Sequence, residues 1–404
     1  MNTFKRTVIG LAVAAAVSLG TAQAQVSDGI IKIGVLTDMS SLYTDLAGAG
    51  SVVAAKLAVE DSGIEKRGYK VEVISADHQN KPDVGSNVAR QWYDVDKVDV
   101  IVDTPNSGVA LAVSQITKDK GKAFLASGPG SSDLTGKACS PNTVHWAYDT
   151  WMLANGTGTA ITKGGGDSWF FISADYAFGA ALERDTTAAV IKNGGKVIGG
   201  VKAPLNTQDF SSFLLQAQAS KAKIIGLANA GGDTTNSIKQ AAEFGIVKGG
   251  QKLAGLLVFL TDIHALGLQT AQGLTFTETF YWDQNDASRA FAKRFSALDK
   301  GIYPTMVHAG VYASVLHYLK AVEALKSDDG TKVVAKMKEM ATDDPLFGKG
   351  TIRVDGRKIH PAYLVQVKTP AESKAPWDYY KIVATIPADQ AFRPLADGGC
   401  SLVK

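Results

Sequence analysis

The sequence predicts an α/β protein of two similar lobes, each a parallel sheet wound with crossover helices. Three observations carry this. The chain has 404 residues, enough for two or three packed units at roughly 100 to 200 residues each. After Asp28, short β-branched runs alternate with longer helical patterns, which is how strands joined by crossover helices read. The alternation then begins a second time near Ser168.

In the first set, Ile30 to Leu36 reads as a strand, Ala47 to Ser62 as a helix and Lys70 to Ser75 as a strand. Pro82 to Val95 is a helix with proline in its first turn, where the missing N–H costs nothing. Val98 to Val102, a helix from Gly108 to Lys118, and Ala123 to Ala126 continue the pattern. In the second set, Trp169 to Ser173, Lys196 to Val201, Ile224 to Ala228 and Ala254 to Leu260 are strands. Between them lie helices at Phe178 to Lys192, Phe210 to Ala219 and Asp233 to Phe244.

The last third differs. Ala287 to Lys300 and Pro304 to Ser327 are helical, the latter with Val307, Val311, Val315, Leu319 and Val322 near helical spacing, and Val333 to Met340 is a shorter helix. Gly348 to Arg357 reads as a hairpin, and Ala362 to Val367 and Tyr379 to Ile386 as strands. The simplest assembly gives the extra helices to the first lobe and the extra strands to the second. Lobe 1 is then 25–147 plus 280–350, and lobe 2 is 148–279 plus 351–390, with the tail 391–404 returning to lobe 1. The chain crosses between lobes three times, near 145–150, 275–282 and 348–356.

Composition narrows the class. With 42 Lys+Arg against 39 Asp+Glu, 45% hydrophobic residues and 2 Cys, the chain is neither a disordered tail nor a disulfide-dense miniprotein. Lys5 and Arg6 belong to an N-terminal segment read as removable, and without them the balance is 40 to 39. That surface has no bulk reason to hold nucleic acid. Residues 1–24 run from those basic residues through an apolar core, Val8 to Leu19, to the small-residue ending Thr21-Ala22-Gln23-Ala24. This is the pattern of a cleavable signal peptide, cut before Gln25. The protein is expected to be periplasmic. Export makes Cys139 and Cys400 a candidate disulfide, the alternative being two free thiols. No metal-binding spacing is visible among the six His.

In open α/β sheets, ligands collect at the carboxyl ends of strands. The loops there are polar and small: Thr37 to Thr44, Asp103 to Ser107, Ser127 to Asp133, Ser173 to Gly179, Asn229 to Gly232 and Phe259 to His264. Such loops with a few aromatics suit a small ligand held by hydrogen bonds and one flat apolar face. Each residue also has a plainer reading. Ser107, Ser132 and Asp133 cap helices equally well, Asp175 and Asp262 cap or pair, and Tyr176 and Phe178 pack a core equally well. Tyr148, Trp151, Tyr281 and Trp282 lie near the crossovers and either line the cleft or pack the hinge. Gly48-Ala49-Gly50 begins like a dinucleotide fingerprint but lacks the third glycine and sits inside the predicted helix, well past the strand whose tight turn a fingerprint needs. No nucleophile elbow, P-loop or His-Glu-x-x-His occurs, so no catalytic constellation and no cofactor is implied.

The exported start, Ile31-Lys32-Ile33-Gly34-Val35-Leu36, the Ser-rich loop after it and the three-crossover order resemble the type I periplasmic substrate-binding proteins of ABC importers, in particular the branched-chain amino-acid-binding family. The resemblance implies two Rossmann-like lobes joined by three hinge crossovers, closing on a ligand and docking on a membrane permease, with no chemistry on the ligand. A monomer is expected. In leucine-binding members the ligand carboxylate meets hydroxyls and N–H groups of two first-lobe loops. Asn106 with Ser107, and Gly128 through Ser132, occupy those places, with the hydroxyl displaced to Ser127 or Ser131. Phe178-Gly179 stands where amino-acid binders tend to have Tyr, Ala230 stands for a second Tyr, and the acid that would meet an ammonium has no secure match around Phe259 to Asp262. These departures leave room for a flat or bulkier ligand and weigh against an amino acid. The stretches Ala174 to Gly179 and Val258 to His264 look more like the subgroup for aromatic carboxylates.

The candidate ligand contacts are Ser41, Tyr43, Asn106, Ser107, Ser127, Gly128 and Ser131 from lobe 1, and Asp175, Tyr176, Phe178, Asn229, Phe259 and Asp262 from lobe 2. A branched-chain or other amino acid is the alternative ligand. A periplasmic sensor subunit and a secreted enzyme are the rival functions.

Overall fold

The computed structural model describes residues 26–404, so the signal peptide expected over 1–24 lies outside the described residues. The first sheet contains β1 (Ile31–Thr37), β2 (Val71–Asp77), β3 (Val100–Asp103), β4 (Ala123–Ala126) and β5 (Thr143–His145). Its strands are parallel and ordered β2-β1-β3-β4-β5. The crossovers are α1 (Gly48–Ser62), α2 (Pro82–Asp94) and α3 (Ser107–Asp119). β3 and β4 are buried at every position, which is why they read as unbroken apolar runs rather than alternations.

Short helical pieces α4 (Thr150–Leu153) and α5 (Thr159–Lys163) lead into the second sheet of β6 (Ser168–Ala174), β7 (Lys196–Ala203), β8 (Ile224–Ala228) and β9 (Lys252–Gly255). It too is parallel, ordered β7-β6-β8-β9, with α6 (Ala177–Lys192), α7 (Ser211–Ala219) and α8 (Gly232–Glu243) as crossovers. In both sheets the first strand lies one in from the edge, with the second strand outside it and the third on its other side. This creates a switch point between β1 and β3 and another between β6 and β8, the positions where open sheets bind ligands.

The strand expected over Ala254 to Leu260 is shorter than its apolar run. β9 stops at Gly255, and Leu260 opens α9 (Leu260–Leu266). The Asp262 carboxylate accepts the Phe259 N–H at 2.8 Å and sets that helix start, so Leu256 to Phe259 are buried as loop. α10 (Leu268–Ala271) and β10 (Thr275–Glu278) follow. α11 (Asp286–Leu298), α12 (Met306–Leu325) and α13 (Gly330–Glu339) then return to the first sheet, where α12 packs along α1. α12 is buried nearly all round, and Thr305 caps it by accepting the Val307 N–H.

β11 (Thr342–Asp344), β12 (Gly348–Ile352) and β13 (Lys358–Ile359) form a small antiparallel sheet. The expected hairpin is there, and β11 adds a strand that the sequence reading lacked. β14 (Ala362–Val367) and β15 (Tyr380–Ile386) join β10 in an antiparallel sheet, and α14 (Ala388–Ala391) leads into the tail. After the hairpin the chain runs through His360 and Pro361 into β14, which pairs with β10.

The first and third passages are stitched together by Arg357, which is fully buried. Its guanidinium donates to the carbonyls of Tyr148 at 2.9 Å and of Trp146, faces the Asp149 carboxylate at 3.4 Å and lies over the Phe392 ring. Cys139 and Cys400 form a disulfide with a sequence separation of 261. Together with Arg393, which donates to the Ser132 carbonyl, it fastens the tail to the loop after β4.

Candidate functional site

The carboxyl ends of the two sheets face each other, and the structure is shut. One apolar cluster runs without a break from Val35, Val102 and Leu125 through Tyr43, Tyr148, Phe178 and Phe259 to Phe171 and Ala228. At its centre the shut lobes leave a small space of about 10 Å³, room for little more than a water, so a ligand enters only as the lobes part. Lobe 1 lines it with Tyr43, Leu46, Pro105 and Gly128, the first crossover with Tyr148, and lobe 2 with Tyr176, Phe178, Ala230, Leu257 and Phe259. The rings meet at angles: Tyr148 and Phe259 edge to face at 6.0 Å, Tyr176 and Phe178 tilted at 6.0 Å. Such a box offers a flat ring both faces and edges to pack against.

The loops that build this space are held by local polar chemistry. Asp38, fully buried, accepts the N–H groups of Ser41 and Tyr43 and the Asn80 amide, which folds the Ser-rich loop and aims Tyr43 into the cleft. The Tyr43 and Tyr176 hydroxyls then meet across the cleft at 2.5 Å. Glycines permit the close approach. A Cβ at Gly130 would lie 2.7 Å from the Phe178 ring, and one at Gly231 would lie 2.8 Å from the Leu42 carbonyl. Beside the cavity a polar clamp also joins the lobes: Asp185 of α6 accepts from Ser132 and from Thr150, both at 2.6 Å. Neighbouring Arg184 pairs with Asp133 at 3.0 Å.

Of the candidates read from sequence, Tyr43, Gly128, Tyr176, Phe178 and Phe259 lie in the lining. The others sit elsewhere, and their partners explain why. Asn106 accepts the Gly108 and Val109 N–H groups and so caps α3. Ser107 Oγ accepts the Ser131 N–H, and Ser131 Oγ accepts the Asp133 N–H. Ser41 donates to Asp38 on the outer rim. Asn229 is occupied by Thr234 and Ser237, and Asp175 is exposed near Lys202. Asp262 caps α9, and burial pushes its pKa up to about 7. Ser127 is buried with an unpartnered hydroxyl that faces Gly310 of α12.

Leu46, Pro105, Leu257 and Asp103 went unassigned in the sequence reading. Asp103 stands out chemically. It is fully buried at the end of β3, and neither carboxylate oxygen has a hydrogen-bond partner. Asp103 and Thr104 both adopt left-handed backbone, with φ of 77° and 63°, which is rare for residues with a Cβ. Burial pushes the Asp103 pKa up to about 7. The Thr37 and Ser51 hydroxyls pull it back only in part, and neither completes a hydrogen bond of good geometry. In lobe 2, burial likewise pushes Asp233 up to about 7, although it accepts the Asn206 N–H at 3.1 Å.

The periplasmic binding protein family model matches residues 30–374. The chain belongs to that family. A crystal structure of a periplasmic binding protein from Burkholderia mallei is similar, with 52% identity over 93% of this chain and 100% of that one, and a TM-score of 0.91. A branched chain amino acid ABC transporter periplasmic ligand-binding protein from Burkholderia xenovorans LB400 is 41% identical, covering 93% and 100% of the two chains with a TM-score of 0.82. A solute binding protein of an ABC transporter from R. palustris, in complex with benzoate, shares the fold at 21% identity, 92% and 100% coverage and a TM-score of 0.80. This is therefore a periplasmic substrate-binding protein of the ABC transporter type, a binder and not an enzyme.

Proposed function

We propose that this protein captures a small aromatic carboxylate between its lobes and delivers it to the membrane permease of an importer. The observation that carries the reading is the cavity lining: five aromatic rings, small and aliphatic side chains, and no charged group. A ring gains from every face of that box. Its carboxylate is assigned to the lobe-1 end, where Gly128 follows β4 and where the Asn106 cap takes the Gly108 and Val109 N–H groups and leaves that of Ser107 free. Backbone N–H groups at a helix N-terminus suit an anion. The benzoate complex of the R. palustris relative supports the same class of ligand.

Capture follows from the two-lobe build. Lobe 1 meets the ligand first, and Tyr176, Phe178 and Phe259 add contacts only when the lobes are shut, so the ligand selects the closed form. An amino-acid ligand is the second reading, favoured by the branched-chain relative at 41% identity. It would need an acid for its ammonium. Asp262 is spent as a cap, which leaves Asp103, Asp233 and Glu278 close to the lining residues Tyr43 and Tyr148.

A thermal-shift panel on the mature protein separates the readings. Ligand at a hundred times its dissociation constant adds about 2.7 kcal/mol. The expected outcome is a rise with benzoate and 4-hydroxybenzoate and none with leucine, isoleucine or valine. A rise with the amino acids alone overturns the proposal.

A further inference from the structure

We propose that Asp103 is the proton-accepting group of the ligand site, so that capture of an anionic ligand is coupled to uptake of one proton. This rests on the aromatic-carboxylate reading and adds to it a requirement on pH.

The geometry is specific. The register pairs β1 with β3 at Leu36 and Asp103, and β3 with β4 at Asp103 and Ala126. Thr37, Asp103 and Ser127 thus finish three adjacent parallel strands at one edge, beside the β1/β3 switch point. All three carry buried side-chain oxygens without partners, as does Ser51 from the first turn of α1. Buried polar atoms are nearly always paired, and here the Thr37 and Ser51 hydroxyls reach Asp103 only at poor hydrogen-bond geometry, which leaves its carboxyl weakly held. Asp103 lies directly behind the cavity wall. A Cβ on Gly128 would sit 2.5 Å from its Oδ1 and 2.7 Å from the Pro105 Cα, and Gly128 and Pro105 are both lining residues. Only a glycine at 128 lets the carboxyl stand there, and the surrounding fold holds two consecutive left-handed residues, Asp103 and Thr104, to put it there.

The surroundings offer this carboxyl no cation. From the β1 loop it faces Asp38, which disfavours its ionised form. From the first crossover it faces Tyr148, whose hydroxyl donates to the Gly128 carbonyl. α1 contributes Ser51, while on α12 Gly310 lies against Ser127 and His308 against Gly50 of α1. The imidazole of His308 is held at about 4 by burial and is neutral. Burial, with Asp38 adding to it and the Ser51 and Thr37 hydroxyls opposing it, pushes the Asp103 carboxyl up to about 7 before any ligand arrives. A ligand carboxylate seated at Gly128 brings a second negative charge to the other side of one residue, between largely apolar walls. Two carboxylates sharing such a site cannot both stay ionised. The ligand acid, free in water, keeps its charge on entry because N–H groups receive it, and Asp103 takes the proton. The bookkeeping is one anion and one proton in, with no other exchange.

The test is isothermal titration of the wild-type protein with benzoate and 4-hydroxybenzoate from pH 6 to pH 8.5, in two buffers of different ionisation enthalpy. The expected result is close to no proton uptake at pH 6, about one proton at pH 8, and affinity falling about tenfold per pH unit above 7. Asp103→Asn, which keeps size and shape, should bind the same acids with no proton uptake and a flat profile. Tight binding of the acids that is pH-independent and exchanges no proton overturns the inference and leaves the aromatic-carboxylate reading standing. Proton release, with affinity rising above pH 7, also overturns it and points to a cationic group on the ligand. Binding of leucine with no binding of either acid overturns both.

Discussion

The two lobes meet the cleft with different chemistry, although their polar loops look alike in sequence. Lobe 2 brings a wall: Tyr176, Phe178, Ala230, Leu257 and Phe259. Its polar strand-end residues are mostly used at home, with Asn229 bonded to Thr234 and Ser237, Asp262 bonded to the Phe259 N–H, and Asp175 out in solvent. Asp233, Thr261 and Glu278, each with an orphaned oxygen, are exceptions. Lobe 1 brings fewer rings, and behind them a group of unsatisfied oxygens on Thr37, Ser51, Asp103 and Ser127. A polar residue at a strand end is thus ambiguous until its partner is known. Lobe 2 spends its polar residues on folding, while lobe 1 leaves some of them unspent.

That contrast can be broken at several points. The largest effect is expected from Gly130→Leu, which puts a side chain where even a Cβ would lie 2.7 Å from Phe178. The lobes could no longer shut, and titration calorimetry should find binding weakened by more than about a hundredfold with little change in thermal unfolding. Phe178→Ala removes one wall of the box, and the loss of its buried area should weaken aromatic-acid binding by roughly ten- to a hundredfold. Serine at both Cys139 and Cys400 should leave affinity for the closed state nearly unchanged but cost about 2–5 kcal/mol in denaturant unfolding.

Asp103→Asn acts through pH. The folded-state pKa is raised from 3.8 to about 7, so the folded chain holds a proton that the unfolded chain releases over that window. Stability from this group is complete below pH 3.8 and lost as pH rises towards 7. Asparagine removes that loss, and at pH 8 the variant should be more stable than wild type by up to a few kcal/mol, with little difference at pH 4. The smallest effects belong to the lobe-2 acids. Asp262→Ala should cost about 1 kcal/mol as a lost helix cap and leave affinity within twofold, and Asp175→Ala should change neither.

Much of the fold was legible because parallel strands buried on both faces, such as Val100–Asp103 and Ala123–Ala126, leave runs that nothing else explains. The apolar run from Ala254 to Leu260 misled for the same reason. Burial is visible in a sequence, but the hydrogen bond from Phe259 to Asp262 that ends the extended segment is not. At the site, the aromatic residues Tyr43, Tyr176, Phe178 and Phe259 could be read because a large ring in a short polar loop is unusual. Pro105 and Leu257 could not, since small apolar side chains carry no signal of what they face. Asp103 belongs to a third kind. It stood in a loop already marked, yet its meaning lies in what is missing around it and in a left-handed backbone, which only coordinates reveal.

The central claim is that the cavity between the lobes receives an aromatic carboxylate, ring against the lobe-2 wall and acid end at lobe 1. A crystal structure with 4-hydroxybenzoate tests it most directly. The account predicts the ring enclosed by Tyr148, Phe178 and Phe259, with its carboxylate at the Gly128 and Ser107 N–H groups. A ligand found instead in the outer groove lined by Ser40, Asn80 and Asn206, or seated with its carboxylate against lobe 2, would contradict it.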